Sequence, residues 1–391
     1  MPDPRKPLLP AGRPLRILIV APSFDILGGQ TVQAARLLTR LNEETALEVG
    51  FLPINPRLPG VLRKFQEIKY LRTVVTSIWY VASLLARVHK FDVVHVFSAS
   101  YFSFVLAPTP AILIGKLYGK KVLLNYHSGE AADHLERWKR SAIPTIRLTN
   151  VLVVPSEYLV RVFTKFGLRA TPIYNIIETE KFRFRERRPL RPAFLSNRNF
   201  EKHYGVDRVL RAFAVIQQSI PDARLTVAGT GPERASLEQL ALELKVNADF
   251  VGKVNHEHVA ALYDQSDIFL NGSEIDNQPL SILEAFACGL PVVTTAAGGI
   301  VDMVTHEQNG LLVARGDYQQ LATEARRLLT DQELAAHIIR KARAECVSYS
   351  WEAVREQWLT VYEEVGHPSL GSTVSLAPEN SVAETNVVER R

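Results

Sequence analysis

Short apolar runs separated by stretches of helical periodicity recur along this chain in two series, and that alternation limits its fold more than any other feature. The first series reads as strands at 16–21, 47–52, 92–97, 121–127, 151–156 and 171–175. The second reads as strands at 193–197, 224–229, 249–251, 267–271, 291–295 and 310–313. Near-continuous apolar strands alternating with helices make parallel sheets covered on both faces. A chain of 391 residues is too long for one core of this kind and suits two. The expected fold is α/β, with two Rossmann-like doubly wound domains. The expected organisation is a flexible leader at 1–14, a first domain at 15–180 and a Pro/Arg-rich linker at 181–192. A second domain at 193–350, a closing helix at 351–366 and a disordered tail at 367–391 follow.

Charge is unevenly shared between the halves. Residues 1–180 hold 23 Lys and Arg against 13 Asp and Glu, a net +10, and the remainder holds 23 against 28, a net −5. Anionic lipid, a lipid-phosphate acceptor or nucleic acid would each suit the basic half by charge alone. Scattered surface charge is the alternative, and no nucleic-acid partner is expected. Cys288 and Cys346 form neither a disulfide framework nor a metal spacing, which points to a reducing, cytoplasmic setting. Peripheral attachment at the inner face of a membrane is compatible with it. The apolar stretch 73–86 spans only about 21 Å as a helix, short of a hydrocarbon core of about 30 Å. It is expected to be buried in the first domain, with monotopic membrane contact as the alternative.

The stretch Asp276-Asn277-Gln278-Pro279-Leu280-Ser281-Ile282-Leu283-Glu284 carries two carboxylates on either side of a proline. It runs into an Ala285-Phe286-Ala287-Cys288 helix that stops at Gly289-Leu290-Pro291. A loop entering a helix offers free backbone N–H groups and the positive end of the helix dipole. A carboxylate on the first turns can grip a vicinal diol through two charge-assisted hydrogen bonds. Near the start, Gly28-Gly29 follows the first strand and opens a helix, where paired glycines let a ligand approach the backbone. No Gly-x-Gly-x-x-Gly pattern with a following acidic residue accompanies it, so dinucleotide binding is poorly supported. Arg198 follows the first strand of the second series, a position where doubly wound sheets place ligand contacts. Gly229-Thr230-Gly231-Pro232 makes a tight turn after the next strand, either architectural or ligand-facing. His127 closes the run 121–127.

Taken together, these residues resemble the retaining family 4 glycosyltransferases over roughly residues 15–366. The key match is an acid-x7-Glu motif running into Glu-Ala-x-Ala-x-Gly-x-Pro-Val-Val. The resemblance implies a GT-B arrangement, with a nucleoside-diphosphate sugar in the interdomain cleft and a C-terminal helix crossing back to the first domain. It implies catalytic roles for Arg198, Lys202, His127 and Asp276. Donor contacts would come from Gly28, Gly29, Gly229, Gly231, Pro279, Leu280, Ser281 and Glu284, with Glu284 on the ribose hydroxyls. No metal or other cofactor is expected. The implied reaction is retaining transfer of a hexose-type sugar to an acceptor hydroxyl on a lipid, a polysaccharide or a small molecule. A sugar-nucleotide epimerase or phosphorylase on the same fold, or a non-catalytic nucleotide-sugar-binding protein, are the alternatives.

Three positions depart from the family pattern. Asp276 stands where Glu is usual, with Glu274 two residues earlier. His203 occupies the slot of the basic partner of Arg198, and Lys202 lies one residue short of it. Ser128 follows His127 in place of the usual Asp. Glu130, Asp133 and His134 lie just beyond and could face an acceptor.

Overall fold

The computed structural model describes residues 13–366 apart from 26, 27, 59 and 61. The tail at 367–391 and most of the leader at 1–14 lie outside the described residues. Six strands form a first parallel sheet: β1 (Leu15–Ala21), β2 (Leu47–Pro53), β3 (Val93–Phe97), β4 (Lys121–Asn125), β5 (Val151–Val154) and β6 (Thr171–Pro172), in the order β2-β1-β3-β4-β5-β6. Six more form a second: β7 (Ala193–Asn197), β8 (Arg224–Ala228), β9 (Ala248–Gly252), β10 (Ile268–Asn271), β11 (Val292–Thr295) and β12 (Leu311–Val313). Their order is β12-β11-β10-β7-β8-β9.

The runs read from the sequence coincide with these strands to within a few residues, because strands covered on both faces need apolar side chains at consecutive positions. In β1 every residue except Arg16 is buried, and Ile17 pairs in register with Val49 on one side and Val93 on the other. The run 121–127 is longer than its strand: β4 ends at Asn125, so His127 sits in the following loop rather than on the strand. Helices cover both faces through single apolar stripes, such as Val209, Leu210, Phe213 and Ile216 on the helix Val206–Ser219. In each sheet the order reverses once, between β1 and β3 in the first and between β7 and β10 in the second. Loops leaving the carboxyl ends at such a reversal part and leave a crevice.

The last helix, Trp351–Gly366, packs on the first sheet although its predecessors belong to the second. Trp358, Tyr362 and Val365 enter a core shared with Ile17, Leu37, Phe97 and Leu123. The Tyr362 hydroxyl meets Nδ1 of the buried His95 at 2.7 Å, and Arg355 pairs with Glu44 at 2.5 Å. The chain therefore passes between the domains twice, near residue 177 and near residue 349. The two passages touch, with Ile177 N–H donating to the Tyr349 carbonyl at 2.8 Å.

The arginines of the segment 181–192 are fixed on the second domain. Asp267, buried at the start of β10, accepts from Arg191 at 2.8 Å and from Arg185 at 3.1 Å. Arg187 is wholly buried and donates to the carbonyls of Ser266 at 2.8 Å and Tyr263 at 2.9 Å. Burial alone would raise the Asp267 carboxyl, but the Arg191 hydrogen bonds outweigh it and hold it below its ordinary range.

The apolar stretch before β3 departs from the expectation of burial. It forms the helix Lys69–Arg87, of which only one face, with Tyr80 and Leu84, enters the first-domain core. Only 17% of its most apolar window is buried.

Candidate active site

A cleft of about 1070 Å³ lies between the two sheets, at the carboxyl ends of their strands. The first domain lines it with Gly28, Gly29, Ser98–Tyr101 and His127–Glu130, and the second with Arg198, His203, Gly229 and Asp276–Ser281. These loops flank the reversal points of both sheets.

Two helix starts meet in this cleft. Gly28 caps the helix Gly29–Asn42 with extended backbone, and Pro279 does the same for the helix Leu280–Cys288. A Cβ on Gly29 would lie 3.7 Å from Leu280 Cδ1, so the two ends almost touch. Free N–H groups and aligned dipoles from both sides favour an anion between the two helix starts.

Arg198 leaves β7 and reaches under the second of these helix starts. Its guanidinium pairs with Asp276, donates to Ser281 Oγ at 3.3 Å and lies 4.1 Å above the Tyr204 ring. Its Nε is buried with no partner. Asp276 also accepts from its neighbour, the Asn277 N–H, at 2.9 Å and from Ser273 Oγ at 3.2 Å. Neither Gly229 nor Gly231 tolerates a side chain. A Cβ on Gly229, whose φ is +143°, would fall 1.9 Å from the Arg198 carbonyl oxygen, and one on Gly231 2.5 Å from that of Phe200. Both glycines therefore let the loop carrying Arg198 pass over β8. Gly229 also lines the cleft, and Gly231 lies behind it.

Lys202 is not brought to the cleft. The short 3-10 turn Lys202–Tyr204 leaves its side chain exposed and turns His203 and Tyr204 to the lining. The left-handed Gly205 (φ +60°) that ends the turn packs on Gly272, which fixes this orientation. Besides Arg198, the basic side chains in the lining are His203, from this turn, and Lys253, from the loop after β9. Glu274 pairs instead with Arg208, outside the cleft lining.

Glu284 lies at the closed end of the cleft, 5% exposed. It accepts from the Tyr263 hydroxyl at 3.0 Å and faces Arg36 of the first domain at 3.9 Å. Burial raises its carboxyl above the ordinary value, opposed by Arg36, Tyr263 and Arg198. Arg36 is itself buried, held by the Ile176 carbonyl at 2.7 Å and by Glu178 at 3.1 Å. Neither Arg36 nor Tyr263 carries a sequence signal, since each meets Glu284 only through the fold.

On the opposite wall, His127 donates its backbone N–H to Ser98 Oγ at 3.1 Å and stacks its ring on Phe97 at 5.2 Å. Burial pushes its imidazole down to about 3, and its Nε2 is enclosed without a partner. A neutral ring with one free nitrogen can exchange a hydrogen bond with a hydroxyl. Beyond it, Tyr101 holds a left-handed φ of +54°, and its hydroxyl donates to Asp133 at 2.6 Å. Glu130 lines the cleft beside it, whereas His134 turns away to Tyr126 at 2.7 Å.

Asn277 and Gln278, between the two carboxylates of the motif, tie the domains together. Ser156 Oγ donates to Asn277 Oδ1, and Asn175 N–H donates to Gln278 Oε1 at 2.7 Å. Asp302 adds a contact to the Tyr158 N–H at 2.6 Å and one to Arg161 at 2.8 Å. Among the described residues no group of three or more His, Cys, Asp or Glu side chains could hold a metal ion.

Comparison with known proteins places two family profiles in series along the chain. Residues 28–181 match Glycosyltransferase Family 4, and residues 178–345 match Glycosyl transferases group 1. The chain is 27% identical over 309 residues to the sulfoquinovosyl transferase SQD2 of Arabidopsis thaliana, covering 73% of this chain and 59% of that one. It is 36% identical over 170 residues to the N-acetyl-alpha-D-glucosaminyl L-malate synthase of Bacillus anthracis, covering 43% and 44%. The matched stretches thus span only about half the length of these relatives. Among solved structures, HepE of Anabaena in complex with UDP superposes with a TM-score of 0.70 at 17% identity, over 90% of this chain and 100% of that one. Sucrose-phosphate synthase from Thermosynechococcus elongatus gives 0.69 at 19%, over 91% and 100%.

Proposed function

Since the chain belongs to the family 4 glycosyltransferases and has their two-domain GT-B fold, we propose that it transfers a hexose-type sugar from a nucleoside diphosphate to an acceptor hydroxyl, with retention. One observation carries this reading. The two helix starts at Gly29 and Leu280 meet in a single cleft with Arg198 and Glu284. That arrangement suits a diphosphate between the helix starts, its ribose hydroxyls on Glu284 and its sugar towards Asp276 and His127.

In this reading Arg198 leaves Asp276 when the donor enters. The guanidinium then holds the phosphate oxygens and stabilises the charge that grows on the departing diphosphate. Asp276, released, accepts from sugar hydroxyls. Being one methylene shorter than Glu, it demands a sugar seated closer to the loop. His203, in place of the exposed Lys202, supplies a second basic contact, with Lys253 the other basic side chain in the lining. The neutral His127 meets the sugar from the first domain. Leaving group and incoming hydroxyl share one face of the sugar, so no enzyme nucleophile is needed, and the Asn277 and Gln278 contacts hold the cleft shut against water.

The test is a panel of UDP-, GDP- and ADP-linked hexoses, followed by nuclear magnetic resonance of the product formed from the donor that binds. An α-linked donor should give an α-linked product and free nucleoside diphosphate. Inversion at the anomeric carbon, or epimerised donor without any transfer, would overturn the reading.

A further inference from the structure

The helix Lys69–Arg87 is amphipathic: Thr73, Thr76, Ser77 and Ser83 fall on one side of it, and Val74, Ile78 and Leu85 on another. Here Tyr80, Leu84 and Val88 face the first-domain core, while Val74, Ile78 and Leu85 form a separate stripe that is exposed among the described residues. Ile78 is 65% exposed, and Leu117 on the adjoining helix Pro108–Leu117 is 76% exposed. The two helices are stitched together by the Tyr118 hydroxyl on the Leu85 carbonyl at 3.1 Å and the Tyr80 hydroxyl on the Ala107 carbonyl at 2.9 Å. Their exposed side chains therefore make one surface. An exposed, contiguous apolar face marks a contact site.

Charge selects the occupant. Segments 62–90 and 101–121 together hold nine Lys and Arg against a single acidic residue, Glu67. Arg72 and Lys90 lie exposed near the two ends of the stripe, and Trp79 and Tyr118 are part-exposed beside it. Apolar side chains with cations at either end and amphipathic aromatics beside them match the interface of an anionic bilayer, with acyl chains beneath and phosphates around. The helix cannot cross that bilayer, because its other face is fixed in the core. It lies flat.

The surface also borders the cleft. On the short helix Tyr101–Leu106, Tyr101 and Ser103 line the cleft while Phe102 is exposed. Gln66 links Thr76 of the long helix, at 3.1 Å, to the Pro56 carbonyl, at 2.9 Å, one residue from the cleft-lining Asn55.

We propose that this face seats the first domain on an anionic lipid surface, so that the cleft receives an acceptor embedded in the same surface. The second half of the proposal rests on the transfer reading above; the first does not. The test is co-sedimentation of the full chain with vesicles of phosphatidylglycerol and phosphatidylcholine, and with phosphatidylcholine alone. The chain should follow the anionic vesicles, and raised salt should release it. Ile78→Asp with Leu117→Asp should cut partitioning at least about tenfold and leave nucleotide-sugar binding in solution unchanged.

No sedimentation with anionic vesicles, or sedimentation indifferent to the double substitution, overturns the proposal. So does a dimer in solution that the substitutions dissolve, which would assign the face to a second copy. A chain that binds vesicles but no nucleotide sugar would sink the transfer reading and leave the surface standing. One that binds nucleotide sugar but no vesicles would do the reverse.

Discussion

Arg198 and Asp276 form an ion pair at the reversal point of the second sheet, with side chains only 9% and 10% exposed. In the proposed function, a bound diphosphate would replace Asp276 on Arg198, and a sugar would replace Arg198 on Asp276. The pair keeps both charges satisfied at a depth where an unpaired buried charge would be costly.

Arg198→Ala should therefore lower turnover about 100- to 1000-fold, the usual loss on removing one preorganised donor to a developing anion. Arg198→Lys should recover only part of it, because an ammonium cannot both stack on Tyr204 and fork between two oxygens. Single-turnover consumption of the donor measures both, and near wild-type rates in Arg198→Ala would remove the residue from catalysis.

Glu284 should show a trade between stability and binding. Its raised carboxyl means that ionisation costs the native state, a cost fully present once the pH exceeds the native value. Glu284→Gln should raise the melting temperature of the empty protein at pH 7. It should also abolish the stabilisation by donor, which for wild type reaches about 2.7 kcal/mol at a hundredfold excess over Kd. Thermal melts with and without donor test the two effects together.

His203 and Lys202 can be separated directly. His203→Ala should reduce kcat/KM about tenfold or more, the worth of one hydrogen bond to a charged group. Lys202→Ala, at an exposed position outside the lining, should change it little. The opposite ranking would mean that the 3-10 turn rearranges on donor binding.

Stability should fall as the pH drops below about 6.5. Burial pushes His95 and His127 down to about 3 and His134 to about 4, the last opposed by Asp133. Depressed bases stabilise the native state above their unfolded value, and that stability drains as the pH falls towards their native ones. Each contributes a slope of about 1.4 kcal/mol per pH unit. Glu284 works the other way, being costly only when ionised. Urea unfolding at pH 7, 6 and 5 should show the decline, and a flat profile would mean that these rings gain protons without unfolding.

The strands were legible because burial on both faces writes itself into consecutive residues, as in Leu18-Ile19-Val20 of β1. The motif from Asp276 to Glu284 was legible because its chemistry is local. What escaped the sequence joins residues far apart along the chain. Arg36 reaches Glu284 only because the first helix of one domain abuts the motif helix of the other. The segment 181–192 reads as a linker by composition, yet three of its arginines converge on Asp267 some 80 residues later. The exchange of Lys202 for His203 turns on a single left-handed glycine. The helix Lys69–Arg87 misled for a simpler reason: apolar composition records what a face can touch, not whether the folded chain supplies it.

The touching passages at Ile177 and Tyr349 have a mechanical consequence. A single tether would let one domain tumble about the other. Two strands of chain bonded side by side act as a hinge pin, leaving one principal direction in which the lips of the cleft can swing. The closing helix, anchored beneath the first sheet, keeps that pin from sliding. Any opening that parted Gly29 from Leu280 would therefore pivot about the Ile177–Tyr349 crossing, a constraint set by the order of the chain.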